Sequence, residues 1–324
     1  MSEALGTPSG LLSRPKIYIL DAFHEAGIKL AKKHADVVCW PDPAIRNWPE
    51  EADGVMVRMT PITVEDIARA QHVKVICKQG VGYDTIAVEA ARVRGIPVCR
   101  TPGVNSQAVA EMAFTLALNV ARRVARFDRM LRAGAEIVRP QQLGIELQGK
   151  TVGIVGMGNI GKSVAQKWLG AFDAQLLTYA PRSPADHWCD LPHTRVASLH
   201  EMLPQVHVLT LHLPLTAESH HMIGRRELAL MKKNAILINV SRGGIIDEKA
   251  LFESMSSGHL FGAGLDVFEI EPPPADYPLL QLENVVATPH AAGGTHETQT
   301  RSALQVAQQV IDVLQGKPPA NCVN

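Results

Sequence analysis

Short apolar runs and longer stretches of helical period alternate along most of this chain. In its first third, Lys16–Leu20, Val37–Trp40, Gly54–Arg58, Val73–Lys78 and Pro97–Arg100 are brief and β-branched, which predicts strands. Between them, Glu25–His34 and Val64–Ala70 carry apolar residues at helical spacing. Strands alternating with helices predict βαβ units and a parallel sheet. Ser106–Arg126 then reads as one long helix rich in Ala, Leu and Val, of a length that suits a crossing between domains.

A second series starts at Thr151. Its predicted strands are Thr151–Val155, Leu176–Ala180, Val206–Leu213, Ala235–Val240, Gly262–Val267 and Val285–Thr288. Its predicted helices are Asn159–Ala171, Leu199–Leu203, Arg225–Met231 and Asp247–Ser257. Six strands with intervening helices match a complete dinucleotide-binding fold. A last helix, about Thr295–Gln315, stops at Gly316 and Pro318-Pro319 and is expected to return to the first domain. The reading is therefore α/β, with two doubly wound parallel-sheet domains. One comprises residues 1–104 plus 296–324, the other residues 105–295. The N-terminus up to Pro15 lacks the basic start and apolar core of a signal peptide and reads as a disordered tail.

The most informative segment is VGIVGMGNIG, Val152–Gly161. An apolar run leads directly into G-x-G-x-x-G and then into a helix, the context in which that motif means a dinucleotide site. Gly156 permits the tight turn, Gly158 lets a pyrophosphate approach the backbone, and Gly161 lets helix and strand pack closely. The pyrophosphate would sit on the helix N-terminus, among unpaired N–H groups.

Composition narrows the classes. A chain of 324 residues, 46% hydrophobic, has material for two cores. Thirty-two basic and thirty-two acidic residues balance, which gives no sign of nucleic acid or an anionic membrane as a partner. The longest apolar stretch, Ala108–Ala121, is interrupted by Glu111 and Asn119, so no membrane span is expected. Five scattered cysteines without a C-x-x-C pair read as free thiols of a reducing compartment. A soluble, cytoplasmic protein is the expectation. Thirteen histidines raise the question of metal, but the adjacent His220 and His221 are expected to point apart, and no metal site is predicted.

Three polar residues follow predicted strands by a few positions: Arg242 in NVSRGG, Glu271 in LDVFEIEP and His290 in TPHAAG. In an open parallel sheet, ligands bind outside the carboxyl ends of the strands. Arg, Glu and His on one rim suit reduction of a 2-oxo acid. The guanidinium fork can hold carboxylate and carbonyl oxygens. The imidazole can protonate the carbonyl oxygen as hydride arrives, and a neighbouring carboxylate can orient and stabilise it. Glu269 is the nearest rival to Glu271.

Gly156–Gly161, HLPLT (His212–Thr216), NVSRGGIIDE (Asn239–Glu248), GLDVFEIEP (Gly264–Pro272) and TPHAAG (Thr288–Gly293) closely resemble the D-isomer-specific 2-hydroxyacid dehydrogenases. The resemblance runs from about Lys16 to Gly316 and puts the catalytic Arg, Glu and His on Arg242, Glu271 and His290. It implies a split, flavodoxin-like substrate domain, a central Rossmann cofactor domain, and a homodimer formed largely through the cofactor domains. It puts Gly156, Gly158, Asn159, Ile160, Gly161, Ala180, Arg182, Ser183, His212, Pro214, Val240, Ser241 and Gly293 at the cofactor. Asp266 falls on a position that contacts the nicotinamide carboxamide, though a strand-end Asp is equally a turn residue.

NAD enzymes usually carry an acid at the end of the second strand for the ribose 2′-OH. Here Tyr179 is followed by Ala180, Pro181, Arg182 and Ser183. The acid is missing and a cation is present, which predicts NADP in preference to NAD. For the substrate, the resemblance assigns carboxylate-binding backbone N–H groups to Val81 and Gly82 and puts Asn105 in a loop beside them. Arg58 is expected to face the same cleft, or else to form a surface ion pair. Arg58 and Arg139 resemble phosphate-holding positions of 3-phosphoglycerate dehydrogenases. Met59 and Ile137 depart from that pattern, and no C-terminal regulatory domain is expected. Glyoxylate or hydroxypyruvate reduction is thus favoured, with 3-phosphoglycerate chemistry as the alternative. Phosphite oxidation and a non-catalytic cofactor-binding regulator are more distant readings; a complete Arg–Glu–His set argues against the regulator.

Overall fold

Five four-residue strands, Gly54–Val57, Val75–Lys78, Val208–Leu211, Ile236–Asn239 and Gly262–Leu265, are buried at every position. Continuous burial is what a parallel sheet covered on both faces demands of its strands. The computed structural model describes residues 14–324, so most of the tail read from the sequence lies outside the described residues.

The elements, in chain order, begin with β1 (Lys16–Ile19), α1 (Glu25–His34), β2 (Asp36–Cys39), α2 (Trp48–Glu51), β3 (Gly54–Val57), α3 (Val64–Arg69), β4 (Val75–Lys78), α4 (Val88–Val93) and β5 (Val98–Arg100). There follow α5 (Ser106–Arg122), α6 (Val124–Arg132), β6 (Thr151–Val155), α7 (Asn159–Phe172), β7 (Gln175–Tyr179), β8 (Thr194–Arg195) and α8 (Leu199–Met202). The chain closes with β9 (Val208–Leu211), α9 (Arg225–Leu230), β10 (Ile236–Asn239), α10 (Glu248–Ser256), β11 (Gly262–Leu265), β12 (Val285–Ala287) and α11 (His296–Leu314).

Residues 14–104 and His296–Asn324 form one compact unit. Its five parallel strands are ordered β2-β1-β3-β4-β5, the flavodoxin-like doubly wound order. One face buries Tyr18, Val55, Val57, Ile76 and Val98 with Trp48 and Ile67. The other packs Ile17, Ile19, Met56 and Val75 under Val306, Ala307 and Val310 of α11. A Cβ at Gly27 would stand 2.6 Å from the Ala303 carbonyl oxygen, so glycine is what lets α1 and α11 touch backbone to backbone.

Residues Asn105–Thr295 form the second unit. Its seven strands run parallel in the order β12-β11-β10-β9-β6-β7-β8. Counted from β6, that is the 3-2-1-4-5-6 order of a dinucleotide-binding sheet with one strand added beyond the sixth. The strand beyond the sixth is β12, and the strand absent from the six predicted is β8, only two residues long. α5 packs against β10, β11 and α7 within this unit.

The expected helix Ser106–Arg126 is broken. α5 ends at Arg122, Arg123 is left-handed with φ of 55°, and α6 starts at Val124. The break has identifiable partners. The Ala125 N–H donates to Asn119 Oδ1 at 2.8 Å instead of continuing the helix ladder. The Ala121 carbonyl, its natural acceptor, takes the Ile145 N–H at 2.9 Å. Among the described residues, no helix is long and apolar enough to cross a membrane.

Candidate active site

Every cofactor and catalytic position read in the second unit, apart from Asn105, lies just beyond the carboxyl end of one of its strands. Gly156–Gly161 follow β6, Ala180–Ser183 follow β7, and His212 and Pro214 follow β9. Val240–Arg242 follow β10, Asp266 and Glu271 follow β11, and His290 and Gly293 follow β12. A parallel sheet thus gathers residues up to 137 positions apart (Gly156 to Gly293) on one rim. Asn105 directly precedes α5 in the same unit, with its side chain 3.7 Å from where a Gly293 Cβ would stand.

The glycine turn has the geometry its sequence implies. Gly156 has φ of +101°, and a Cβ there would lie 2.2 Å from the His212 carbonyl oxygen. Gly158, the residue before α7, has no heavy atom within 4 Å of its would-be Cβ, and no side chain caps the helix. An open approach to the uncapped N-terminus of a fourteen-residue helix fits the pyrophosphate of a dinucleotide. On the same rim, His212 Nε2 bonds Thr210 Oγ1 at 2.8 Å, and its Nδ1 is buried without a partner. Burial holds the His212 pKa down at about 3, so this ring is uncharged at neutral pH.

Around the proton-transfer candidates the loops fix one another. His290 Nδ1 and Glu271 Oε2 are 2.7 Å apart. Glu271 Oε1 accepts the Phe268 N–H at 3.0 Å. Burial pushes the Glu271 carboxyl up. The bonds from His290 and Phe268, with the charges of His290 and Arg242, outweigh that and hold its pKa below the ordinary value of 4.5. His290 itself adopts φ of 51° and donates its N–H to the Asp266 carbonyl at 2.7 Å. The rival acid, Glu269, faces His221 Nε2 at 2.9 Å instead.

Asp266 is fully buried. Its Oδ1 accepts Thr288 Oγ1 at 2.5 Å and the Ala291 N–H at 2.8 Å, and its Oδ2 accepts the Ala292 N–H at 3.0 Å. These bonds hold the loop that carries His290. Sequence reasoning missed Asn239, which does the same for Arg242. Its Oδ1 accepts the Ser241 N–H at 3.0 Å, and its Nδ2 donates to the Arg242 carbonyl at 2.8 Å. A Cβ on Gly243 would lie 1.9 Å from the Phe268 carbonyl oxygen, so glycine allows the Arg242 and Glu271 loops to meet.

Arg182 forms an exposed ion pair with Glu218, an acid from the loop after β9. One sequence expectation changes. His220 and His221 do not point apart. Their rings stack with centroids 3.9 Å apart, because His221 is left-handed with φ of 50°. Among the described residues no group of three or more His, Cys, Asp or Glu is placed to hold a metal ion.

The remaining substrate candidates belong to the first unit. Arg58 directly follows β3, and the carboxylate of Asp21 gathers the N–H groups of Arg58, Met59 and Thr60 at 2.5–3.1 Å. Gly80 donates its N–H to Thr101 Oγ1 at 2.8 Å, and Arg100 Nη1 donates to the Val81 carbonyl at 3.3 Å, which fixes the loop containing Val81 and Gly82. Asp21 and Thr101 were not singled out in the sequence, since their work is done through backbone partners far along the chain.

Residues 114–292 match the family model for the D-isomer specific 2-hydroxyacid dehydrogenase, NAD binding domain. The chain belongs to the D-isomer-specific 2-hydroxyacid dehydrogenases. It is 39% identical over 321 residues to the glyoxylate reductase of Korarchaeum cryptofilum, covering 96% of each chain. It is 40% identical over 267 residues to the hydroxypyruvate reductase of Thermotoga maritima, covering 82% of this chain and 85% of that one. The D-3-phosphoglycerate dehydrogenase of Methanocaldococcus jannaschii is 40% identical over 313 residues, 95% of this chain but 59% of the relative. Among solved structures, the TT0316 protein of Thermus thermophilus superposes with a TM-score of 0.87 at 37% identity, covering 95% of this chain and 100% of the other. The D-lactate dehydrogenase of Aquifex aeolicus complexed with NAD and lactic acid gives 0.84 at 27% identity, covering 95% and 98%. This 2-hydroxyacid dehydrogenase is an oxidoreductase that acts on CH–OH donors with a nicotinamide cofactor.

Proposed function

We propose that this enzyme reduces glyoxylate or hydroxypyruvate to the corresponding 2-hydroxy acid, with NADPH as the preferred donor. The observation that carries the reading is the 2.7 Å contact between His290 Nδ1 and Glu271 on the rim that also bears Arg242. Arg242 binds the carboxylate and carbonyl oxygens of the 2-oxo acid. The nicotinamide, when bound, supplies the hydride. With Nδ1 held by Glu271, Nε2 of His290 is the nitrogen that delivers a proton to the carbonyl oxygen. Glu271 keeps the ring in that tautomer and offsets its positive charge. In the oxidative direction His290 Nε2 takes the hydroxyl proton. Within the first unit, Val81, Gly82 and Arg58 are the acid-binding positions that the family resemblance assigns, and Asn105 is the one it assigns in the second.

Relatives named for glyoxylate and hydroxypyruvate reduction support the substrate choice. A phosphohydroxypyruvate reading is favoured by Arg58 and Arg139 and by the phosphoglycerate dehydrogenase relative. Rates of NADPH consumption across glyoxylate, hydroxypyruvate, phosphohydroxypyruvate, pyruvate and an aryl 2-oxo acid separate the two. The expected kcat/KM is at least about tenfold higher for glyoxylate or hydroxypyruvate than for the phosphorylated acid. The reverse order makes phosphohydroxypyruvate the substrate.

The choice of NADPH rests on Arg182 and on the lack of an acid at the end of β7. Glu218 occupies Arg182 in this structure, and a 2′-phosphate is expected to displace it, being the stronger, multiply charged partner. Arg182→Ala is therefore expected to lower kcat/KM for NADPH by about tenfold or more and to leave NADH within about twofold. Glu218→Gln should raise affinity for NADPH. A wild-type enzyme that works better with NADH rejects the assignment.

The proposal includes a homodimer in the cytoplasm. Val124, Leu131, Val138 and Leu143 leave apolar surface exposed along one stretch of the second unit, which supports a partner there. Light scattering after gel filtration should give twice the chain mass, whereas a monomer at micromolar concentration refutes the pairing.

A further inference from the structure

Three thiols lie together in the first unit, and none of them has a role in the site described above. Cys77 of β4 and Cys99 of β5 are register partners, so their side chains share a face of the sheet. The end of the chain then runs antiparallel to β5. The Val323 N–H donates to the Val98 carbonyl at 2.9 Å, and the Arg100 N–H donates to the Asn321 carbonyl at 3.1 Å. These bonds flank Cys99 and Cys322, which face each other across an isolated bridge. The two cysteines are thus the non-hydrogen-bonded pair of an antiparallel ladder, where Cα atoms stand about 4.5 Å apart. That separation is inside the disulfide range of about 4.4–6.8 Å. Their sulfurs are already 3.2 Å apart. The side chain of Asn324 pins the register, accepting the Val98 N–H at 2.8 Å and donating to the Ile96 carbonyl at 2.9 Å.

We propose that Cys99 and Cys322 are a reversible disulfide site, closed by a peroxide oxidant, that fastens the C-terminal strand to the edge of the five-stranded sheet. The surroundings divide the roles. A hydrogen bond from Cys77, working against burial, brings the Cys99 thiol down to about 7. Burial, then the bond to Cys99, pushes Cys322 up to about 12. Cys99 is the thiolate. Cys322 is partly exposed, so a small oxidant approaches from its side. The Cys99 thiolate attacks a peroxide oxygen, the O–O bond breaks, and hydroxide leaves a sulfenic acid on Cys99. The Cys322 sulfur attacks the Cys99 sulfur and loses its proton, and the sulfenic oxygen departs as water. Two thiols and one hydrogen peroxide become one disulfide and two waters, and an added dithiol reverses the bond by exchange. Cys77, wholly buried, stays a thiol.

The test reads the bond and not the reductase activity. The full-length protein is reduced, freed of reductant, treated with hydrogen peroxide, alkylated and mapped as peptides without reduction. The expected product joins the Cys99 and Cys322 peptides, is lighter than their sum by two hydrogens, and separates on adding dithiothreitol. Two alkylatable thiols are lost, while Cys39, Cys77 and Cys189 remain alkylated. Cys322→Ser should abolish the linked peptide, and Cys77→Ser should slow its formation without preventing it. Free Cys99 and Cys322 after peroxide, or a Cys77–Cys99 link in their place, overturns the proposal; the wild-type map decides this even if a variant fails to fold.

Discussion

His290→Gln is expected to lower turnover by about 10²–10⁴-fold, the range that a placed proton donor contributes. Cofactor affinity should change little, because the His290 side chain is assigned to proton transfer and its backbone, held by Asp266, stays in place. The geometry is what makes the loss specific. Glu271 takes Nδ1 at 2.7 Å, and Asp266 holds the backbone through the 2.7 Å bond from the His290 N–H. Gln keeps a polar side chain of similar reach but cannot deliver a proton and regain it. Glu271→Gln should cost less, since the imidazole remains and loses only its oriented, compensated state. The pH profile carries the sign of the Glu271 shift. Its pKa in the folded protein lies below 4.5, so the ionic support is fully present above that value and fades as pH falls through the lower one. An acid limb assigned to Glu271 therefore sits below pH 4.5. Pre-steady-state kinetics and cofactor titration by fluorescence measure both quantities. Near-normal turnover in His290→Gln removes the residue from proton transfer.

The sequence announced most of the strands because parallel sheets need continuous apolar runs, and runs such as VICK and ILIN have no other use. It did not announce β8, whose two residues carry no pattern. Nor did it show the break of α5, because the decisive partners are a side-chain oxygen at Asn119 and the distant Ile145 N–H. The candidate site follows the same division. The glycine turn is a local device and reads locally. Glu271 and His290 were candidates from their strand-end places and their chemistry, but the choice of Glu271 over Glu269 came through resemblance to a family, since the pair stands nineteen positions apart and spacing alone sets no contact. Asn239, Asp21 and the ion pair of Arg182 with Glu218 were invisible because each is settled by which loops the sheet brings together. The Cys99–Cys322 pair is the extreme case, two thiols 223 positions apart in the chain whose sulfurs are 3.2 Å apart.

Arg242→Ala should lower kcat/KM by about 10²–10⁴-fold, from the loss of two hydrogen bonds to charged oxygens at about 1.5–3 kcal/mol each. Arg242→Lys should recover only part of this. Lysine restores the charge but not the planar fork that grips two oxygens at once, so the carbonyl would be presented at a poor angle. The loss should fall on both kcat and KM, because the same group binds the acid and orients the reacting carbon. A structural role predicts something else. Arg242 donates Nη1 to the Ser241 carbonyl at 2.7 Å, and its turn is held independently by Asn239 and by the close approach at Gly243. The backbone scaffold therefore survives truncation of the side chain, and thermal stability should stay near that of the wild type. If Arg242→Ala unfolds early while its remaining folded fraction turns over normally, the guanidinium serves the fold and another cation must hold the substrate. If stability is kept and the rate collapses, the clamp on the 2-oxo acid is the reason Arg242 stands on this rim.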